Sequence, residues 1–375
     1  MSRDSPHSPS TPHSPLFYNA LVKTWDVIIV GGGIIGLSLA IALRKRGATV
    51  LVVERGEPGR EASHAAGGML VDCPLETPPA LQQLATASAR MYPEFAHELE
   101  VESGMKVDLR DQGTILLLSP QHAERDAEFA ANQQLPASLE ALEPALAKPQ
   151  PSAVFLKECS VDPRALSAAA WQAAKHLGVD FSSGDTVQSI NFSRGETGGI
   201  VNARATFRGS KIVNCAGAWS GQIGPHAFPT RPVKGQMLCL AMPSRTLLKH
   251  VIRSPQAYLI PRSDGRLLVG ATVEESGFDK RTDPATIQRL HHAAVALVPE
   301  LRNARFLDDW AGLRPGTPDA MPILGETSTA GYYVATGHFR DGILLAPITA
   351  TVMADVIEGH TPHFDLSPFS PARFR

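Results

Sequence analysis

Two hydrophobic periods follow one another at the start of the chain. Asp26-Val-Ile-Ile-Val30 is a short β-branched run ending on Gly31-Gly32-Gly33, and the apolar stretch Ile34 to Lys45 behind it has no helix breaker after Gly36. The first reads as a buried parallel strand and the second as a helix. A second strand, Ala48 to Val53, closes on Glu54, so strand, helix, strand and acid come in the order of a dinucleotide-binding βαβ unit. Here Gly31 permits the tight turn, Gly33 lets backbone approach a pyrophosphate at the N-terminus of the Ile34 helix, and Gly36 lets that helix pack on the strand. Glu54 falls where a ribose diol would lie. The motif does not choose between a nicotinamide and a flavin; Glu54 argues against a ribose 2'-phosphate, with Arg55 as the counter-signal.

Downstream, Arg60 to Met69 is built of small residues and glycine. It reads either as a plain surface loop or as backbone lying flat against a planar ligand, with N–H groups and the Ser63 hydroxyl as donors. Helical spacing runs from Pro79 to His97, Gly113 to Leu118 reads as a strand, and Gln121 to about Leu146 is helix-rich with breaks at Pro136 and Pro144. Asp162 and Pro163 are the N-cap and first turn of a helix from Ala165 to Leu177. Short strands follow at Val179 to Phe181 and Thr186 to Ile190. Ser210 to Ser220 is a buried strand ending in a turn at Gly217, a second place for backbone to approach a cofactor. Strands at Pro232 to Leu240, Ala257 to Arg262 and Arg266 to Thr272 precede a helix from Pro284 to about Leu297; Ser263-Asp264-Gly265 joins the last two strands as a hairpin. The strand Tyr332 to Ala335 leads to a Gly337 to Gly342 turn and a helix beginning near Ile343. Nucleotide-type strands therefore occur near the start, middle and end, which predicts a discontinuous nucleotide domain with a mixed α+β domain inserted in it.

Composition narrows the class. The chain has 375 residues, 43% of them hydrophobic and 19% charged, long enough for two domains. A net charge of -2 without a basic block gives no support for a nucleic-acid surface. Cys73, Cys159, Cys215 and Cys239 form no CxxC pair or metal-ligand cluster and read as reduced core residues of a cytoplasmic protein. No apolar run approaches the roughly 20 residues of a membrane span. The Ser-, Pro- and His-rich residues 1–24 read as a disordered tail that binds nothing, with no metal site expected.

Arg314 lies in an apolar stretch between Leu313 and Pro315 and is suited either to grip a carboxylate through two parallel hydrogen bonds or to close an internal salt bridge. Tyr258 could add a hydroxyl donor to the same carboxylate, or be half-buried packing. Free N–H groups after Gly342 would meet an electron-rich acceptor, such as the N(1)-C(2)=O edge of a reduced flavin, or belong to a Gly-turned helix start without a ligand. No Ser-His-Asp set, HExxH pair or P-loop is present, and His64, His97, His292 and His338 are scattered. Hydride transfer from an amino acid α-carbon to a flavin needs an anchored carboxylate and an aimed C–H more than it needs an acid or base.

Taken in order, VIIVGGGIIG, EASHAAGGML, PVKGQ (Pro232 to Gln236), YLIPR with GRLLVGAT, WAGLRPGTPD and GHFRDGILLAP closely resemble the glycine oxidase branch of the D-amino acid oxidase family of flavoproteins, from about Trp25 to Gly359. The resemblance implies a Rossmann-like FAD-binding domain, α/β and discontinuous (25–88, 153–228 and 318–365), with an α+β substrate domain inserted at 89–152 and 229–317. It implies oxidation of a small amino acid to an imine, hydrolysis to the oxo acid, and reoxidation by O2 to hydrogen peroxide, often serving the thiazole ring of thiamine. Arg314, Tyr258, Arg340 and Met69 are the implied substrate residues, with none acting as acid or base. Motif and resemblance together assign FAD to Gly31, Gly33, Ile34, Ile35, Gly36, Glu54, Arg55, Ser63, Ala66, Gly67, Gly68, Val187, Gly217, Trp219, His338, Arg340, Gly342, Ile343 and Leu344. Gln256 and Val273 depart from a histidine and a methionine that glycine oxidases can carry there. The absence of any cysteine after Cys239, where sarcosine oxidases attach flavin near the Arg314 motif, predicts non-covalent FAD. The expected partners are a small amino acid and O2, with no nucleic acid, no membrane and a homo-oligomer left open. A family dehydrogenase of D-amino acids or sarcosine passing electrons elsewhere, and a flavin module modifying a tRNA aminomethyl group, are the alternatives.

Overall fold

The computed structural model describes residues 23–118, 129, 133–148, 152–184, 186–191, 198–202 and 204–374. The tail expected at 1–24 lies outside the described residues except for Lys23 and Thr24, as do residues 121–128 and 130–132 of the stretch expected to be helix-rich from Gln121; its described residues 133–146 hold only the short helix Leu139–Leu142 and are otherwise turns and extended chain.

The first βαβ unit forms as its pattern predicts. Strand Thr24–Val30 pairs in parallel with Val50–Glu54 on one side and Thr206–Asn214 on the other. Asp180–Ser183 and Tyr332–Thr336 extend the sheet outward in parallel, and Ile323–Glu326 closes one edge antiparallel. The central strands are apolar on both faces because both faces are covered. Helices Ile34–Lys45, Gln82–Ser103, Pro163–His176 and Ala346–Glu358 bury Leu37, Tyr92, Leu166 and Met353 against one face. Ile190, Ile200 and Phe228 pack with Ile28 and Tyr332 on the other.

A second sheet, of seven strands, runs in the order 305–316, 231–241, 266–270, 258–261, 251–253, 114–117 and 153–156. Helix Pro284–Leu297 buries Ile287, Leu290 and Ala294 on it, against Leu238 and Leu267. A three-stranded sheet of Met69–Leu70, Cys159–Val161 and Leu109–Arg110 stands between the two.

Three expectations are corrected. Ala153–Leu156 pairs with Thr114–Leu117, so the substrate sheet takes residues 153–156 that were expected in the nucleotide domain. The helix from Gln82 continues to Ser103 and buries Leu84, Tyr92 and Leu99 in the nucleotide core, so residues 89–103 belong there rather than with the substrate domain. Finally, the last helix starts at Ala346, because residues 342–345 form a turn before Pro347 takes the first-turn position.

Candidate active site

A cavity of about 750 Å³ opens between the nucleotide domain and the seven-stranded sheet, lined from both. Its nucleotide end is glycine-built. Gly31 has φ +107°, and a Cβ there would overlap the Cys215 carbonyl, so the first strand can turn beside the Cys215 to Gly217 bend only without a side chain. Gly36 does not line the cavity; it sits against the Gly31 carbonyl, the close helix packing its position predicts. Gly33 caps the helix, and the Ile34 N–H donates to the Ser63 hydroxyl at 2.9 Å, so Ser63 is already tied to the helix start. Ile34 and Ile35 line the cavity beside it.

Glu54 is buried and lines the cavity. Its carboxylate accepts from the Gly32 N–H at 2.8 Å and the Gly56 N–H at 2.9 Å, which fixes it while leaving lone pairs for hydroxyls. Arg55 lies 3.6 Å over the Trp219 ring and pairs with Glu61 at 2.6 Å. Its charge is thus engaged within the protein, which removes the counter-signal for a 2'-phosphate. Val187 and Gly217 complete this end.

In the middle of the cavity, two stretches of backbone turn their N–H groups loose. Those of Ala66, Gly67 and Gly68, and those of Gly342, Ile343 and Leu344, find no protein acceptor among the described residues, while their neighbouring carbonyls are held from behind. The Ile343 and Leu344 carbonyls accept from Tyr92 and Ser88 of the Gln82–Ser103 helix, at 2.5 and 2.6 Å. The Ala65 carbonyl accepts from the Trp310 indole at 3.0 Å, and that of Gly68 from the Val161 N–H at 2.8 Å. Leu344 itself does not line the cavity: its side chain is core, and only its N–H is left for a cofactor. These donors, the anchored Glu54 carboxylate and the glycine-lined helix start fit a dinucleotide with a vicinal diol at one end and an electron-accepting ring at the other.

The remaining space belongs to Arg314. The guanidinium donates to the Thr272 carbonyl at 3.0 Å, and no carboxylate of the described residues forms an ion pair with it. The internal salt bridge is therefore not what this arginine makes. Gly235 on the neighbouring strand gives it room, since a Cβ there would overlap the guanidinium. Trp310, Gly312 and Arg314 alternate along strand Arg305–Gly316, so one face of that strand carries the indole donor, a gap into which Ala65 packs, and the Arg314 guanidinium. Tyr258 stands beside Arg314 and Arg340, and its hydroxyl lies 3.8 Å from the Met237 sulfur. Burial pushes its phenol up in spite of the two arginines, so it remains a neutral donor. Met69, Gln256 and Val273 also border this end.

Arg340, 57% exposed, stands at the mouth, 4.0 Å from Glu76. Beside it burial pushes the Asp341 carboxyl up to about 6. His338 lines the cavity, but burial pushes its imidazole down to about 3, leaving it neutral against Thr349. His64 is pushed down as well by burial, with Arg164 and Arg60 adding to the effect. Cys215 reaches the lining, yet burial pushes its thiol far above the range of a reactive thiolate. Among the described residues no group of three or more His, Cys, Asp or Glu could hold a metal, and no helix is long and apolar enough to cross a membrane.

Sequence reasoning missed Gly235, Trp310, Glu76 and Asp341. The period-two spacing of Trp310, Gly312 and Arg314 was the signal available for one of them. The others depend on contacts between distant segments.

Comparison with known proteins bears on all of this. The family model described as FAD dependent oxidoreductase matches residues 26–356. The bifunctional protein ThiO/ThiG of Trichormus variabilis is 35% identical over 94% of this chain and 55% of its own length. The chain thus spans about half the length of the first curated relatives it matches. Glycine oxidase of Geobacillus kaustophilus is 34% identical over 94% of this chain and 98% of that protein. The crystal structure of glycine oxidase from that organism aligns with a TM-score of 0.89 at 32% identity, covering 93% of this chain and 99% of the other.

Proposed function

The chain belongs to the FAD-dependent oxidoreductase family, and from that premise we propose that it carries out oxidative deamination of glycine or a similarly small amino acid or amine. The observation that carries this reading is Arg314: a guanidinium in the cavity, free of any carboxylate partner among the described residues, with the neutral hydroxyl of Tyr258 beside it. Such a pair takes a substrate carboxylate as a charge-assisted hydrogen-bonded anchor. The likeness to glycine oxidases at 32–34% identity over nearly their whole length supports the small substrate.

Glu54 would hold the ribose hydroxyls of FAD, the Gly31 to Gly33 turn its pyrophosphate, and the free N–H groups at 66–68 and 342–344 its ring. Bound there, FAD would supply the two-electron acceptor for oxidation of the amine to an imine, which water would hydrolyse to oxo acid and ammonia, with O2 as the final oxidant giving H2O2. The protein's task is placement. Arg314 and Tyr258 fix one end of the substrate, and the neutral His338 adds no competing charge. No acid or base from this chain is required once the amine is neutral. The physiological role we propose is supply of an imine to thiamine thiazole synthesis, supported by the ThiO/ThiG relatives.

The test is anaerobic bleaching of the bound flavin by glycine, sarcosine and D-alanine, followed by admission of air with a peroxide assay. Bleaching by at least one of them and prompt, stoichiometric peroxide are expected. A flavin that none of the three bleaches would overturn the reading, and slow reoxidation in air would turn it into a dehydrogenase.

A further inference from the structure

One residue of the YLIPR segment is left without a role by the site as described. Arg262 ends the strand face whose alternate positions are Tyr258 and Ile260, and it is 1% exposed. A guanidinium so deeply buried is costly unless its donors are used. Yet among the described residues Arg262 Nε and Nη1 have no hydrogen-bond partner, and Nη2 donates to the Gly67 carbonyl at 2.5 Å. The nearest carboxylates are engaged elsewhere: Asp162 accepts from Arg266 at 2.5 Å and caps the Pro163–His176 helix, and Asp108 accepts from Ser263 at 2.6 Å. Burial pushes Arg262 down to about 10, which leaves it a cation at neutral pH.

The same strand face meets the same loop at a second point. A Cβ on Gly67 would come within 2.9 Å of Ile260, so the loop is seated on the strand as closely as glycine allows. From strand Arg305–Gly316, Trp310 holds the Ala65 carbonyl. The seven-stranded sheet therefore grips alternate carbonyls of the loop, 65 and 67, from behind. A peptide whose C=O is held on one side presents its N–H on the other. The N–H of Gly68 belongs to the peptide whose carbonyl Arg262 holds, and it has no protein acceptor among the described residues.

We propose that Arg262 is a positioning residue that acts through the Gly67–Gly68 peptide, aiming its N–H at the ring of the cofactor and placing a buried cation behind it. This rests on the FAD reading above. Donors and positive charge at that place favour the more electron-rich, reduced ring. The substrate domain thus sets how readily the cofactor takes electrons, apart from its grip on the substrate through Arg314.

Arg262→Met, neutral and of similar length, and Arg262→Lys, which keeps the charge, test this in the holoenzyme. For Arg262→Met the midpoint potential of the bound flavin should fall and its dissociation constant rise about tenfold or more, as for one lost charge-assisted hydrogen bond. The KM for glycine should stay within about twofold while kcat drops, and Arg262→Lys should restore part of the potential. Potential and flavin affinity equal to wild type in Arg262→Met would overturn the proposal. Should that variant fail to fold, hydrogen exchange of the wild-type holoenzyme decides: the Gly68 amide should exchange slowly only while FAD is bound, and fast exchange with FAD in place would refute it. Loss of glycine turnover with potential and exchange as expected would count against the substrate assignment and leave this role standing.

Discussion

Arg314 and Glu158 are both charged groups inside the protein, and their surroundings make opposite demands on them. Arg314 has backbone carbonyls around it and space in front of it, so its charge is available to a ligand. Truncation to alanine should cost about 2–5 kcal/mol of substrate capture through the lost charge pair. Measured as kcat/KM for glycine, that is a loss of at least about thirtyfold, with the visible flavin spectrum unchanged. Loss of flavin or of folding in the same variant would mean the residue is structural. Glu158 is 6% exposed and lies 3.2 Å from Arg253, yet burial pushes its carboxyl up to about 7 from an ordinary 4.5. Because the folded value is the higher one, the stabilisation from holding the proton is full below pH 4.5 and is lost as the pH rises through about 7. Glu158→Gln imitates the protonated form. Its stability advantage over wild type should therefore grow by about 3 kcal/mol between pH 4 and pH 8, read from denaturant midpoints at each pH. A difference that does not change with pH would show that the Arg253 pair, not burial, governs this carboxyl.

At the scale of elements, the site is two strand faces pressed against one glycine-rich loop and one glycine-ended turn. Strands Tyr258–Pro261 and Arg305–Gly316 are separated by two others through three antiparallel pairings, so they run antiparallel to each other. Tyr258 at the start of one and Arg314 near the end of the other therefore fall at the same end of the sheet. Gly235, on the strand paired with Arg305–Gly316, is the gap that lets the Arg314 guanidinium lie flat against its neighbour. Gly235→Ala should leave fold and flavin intact, because the obstructed atoms are the mobile end of a side chain. It should raise the KM for glycine about tenfold by moving the guanidinium off the Thr272 carbonyl. A KM equal to wild type in a steady-state titration would show that Arg314 has another productive position. Local pattern was enough to read the βαβ unit, the Asp162 cap and the helix Pro284–Leu297, since each depends on residues adjacent in the chain. It was not enough for the Gln82–Ser103 helix, whose apolar stripe is the same whichever core it faces; its burial of Leu84, Tyr92 and Leu99 in the first core, with Tyr92 and Ser88 reaching the 343 and 344 carbonyls, assigns it to the nucleotide side. Arg314, Tyr258 and Glu54 were legible because motifs carry them. Gly235 and Arg262 lie in the PVKGQ and YLIPR motifs as well, but their roles were not legible, because what they do is defined by a partner 79 and 195 positions away.

At the scale of the whole molecule, the cofactor would contact both domains at once. The cavity walls come from both domains, and the loop 62–68 that separates the ring site from the second sheet has no buried residue in its short Ala62–Ala65 helix and is held by Ser63 on the Ile34 N–H, by Ala65 against Gly312, and by Trp310, Arg262 and Val161 on its carbonyls. A ligand touching the Gly31 turn, that loop and the Gly342 turn at once joins the two units, and it stabilises the folded state by RT ln(1 + [L]/Kd), about 2.7 kcal/mol at a hundredfold excess over Kd. Removing FAD should therefore lower the unfolding temperature and expose the 62–78 and 337–345 segments to limited proteolysis, with both changes reversed when FAD is returned. ADP, which carries only the half that faces Glu54, should protect the first βαβ unit but leave the 337–345 turn cleavable. If ADP protected that turn as fully as FAD does, or if removing FAD left melting temperature and cleavage pattern unchanged, the turn would be held by Tyr92 and Ser88 alone, and the cofactor would bind to a site already rigid in both domains.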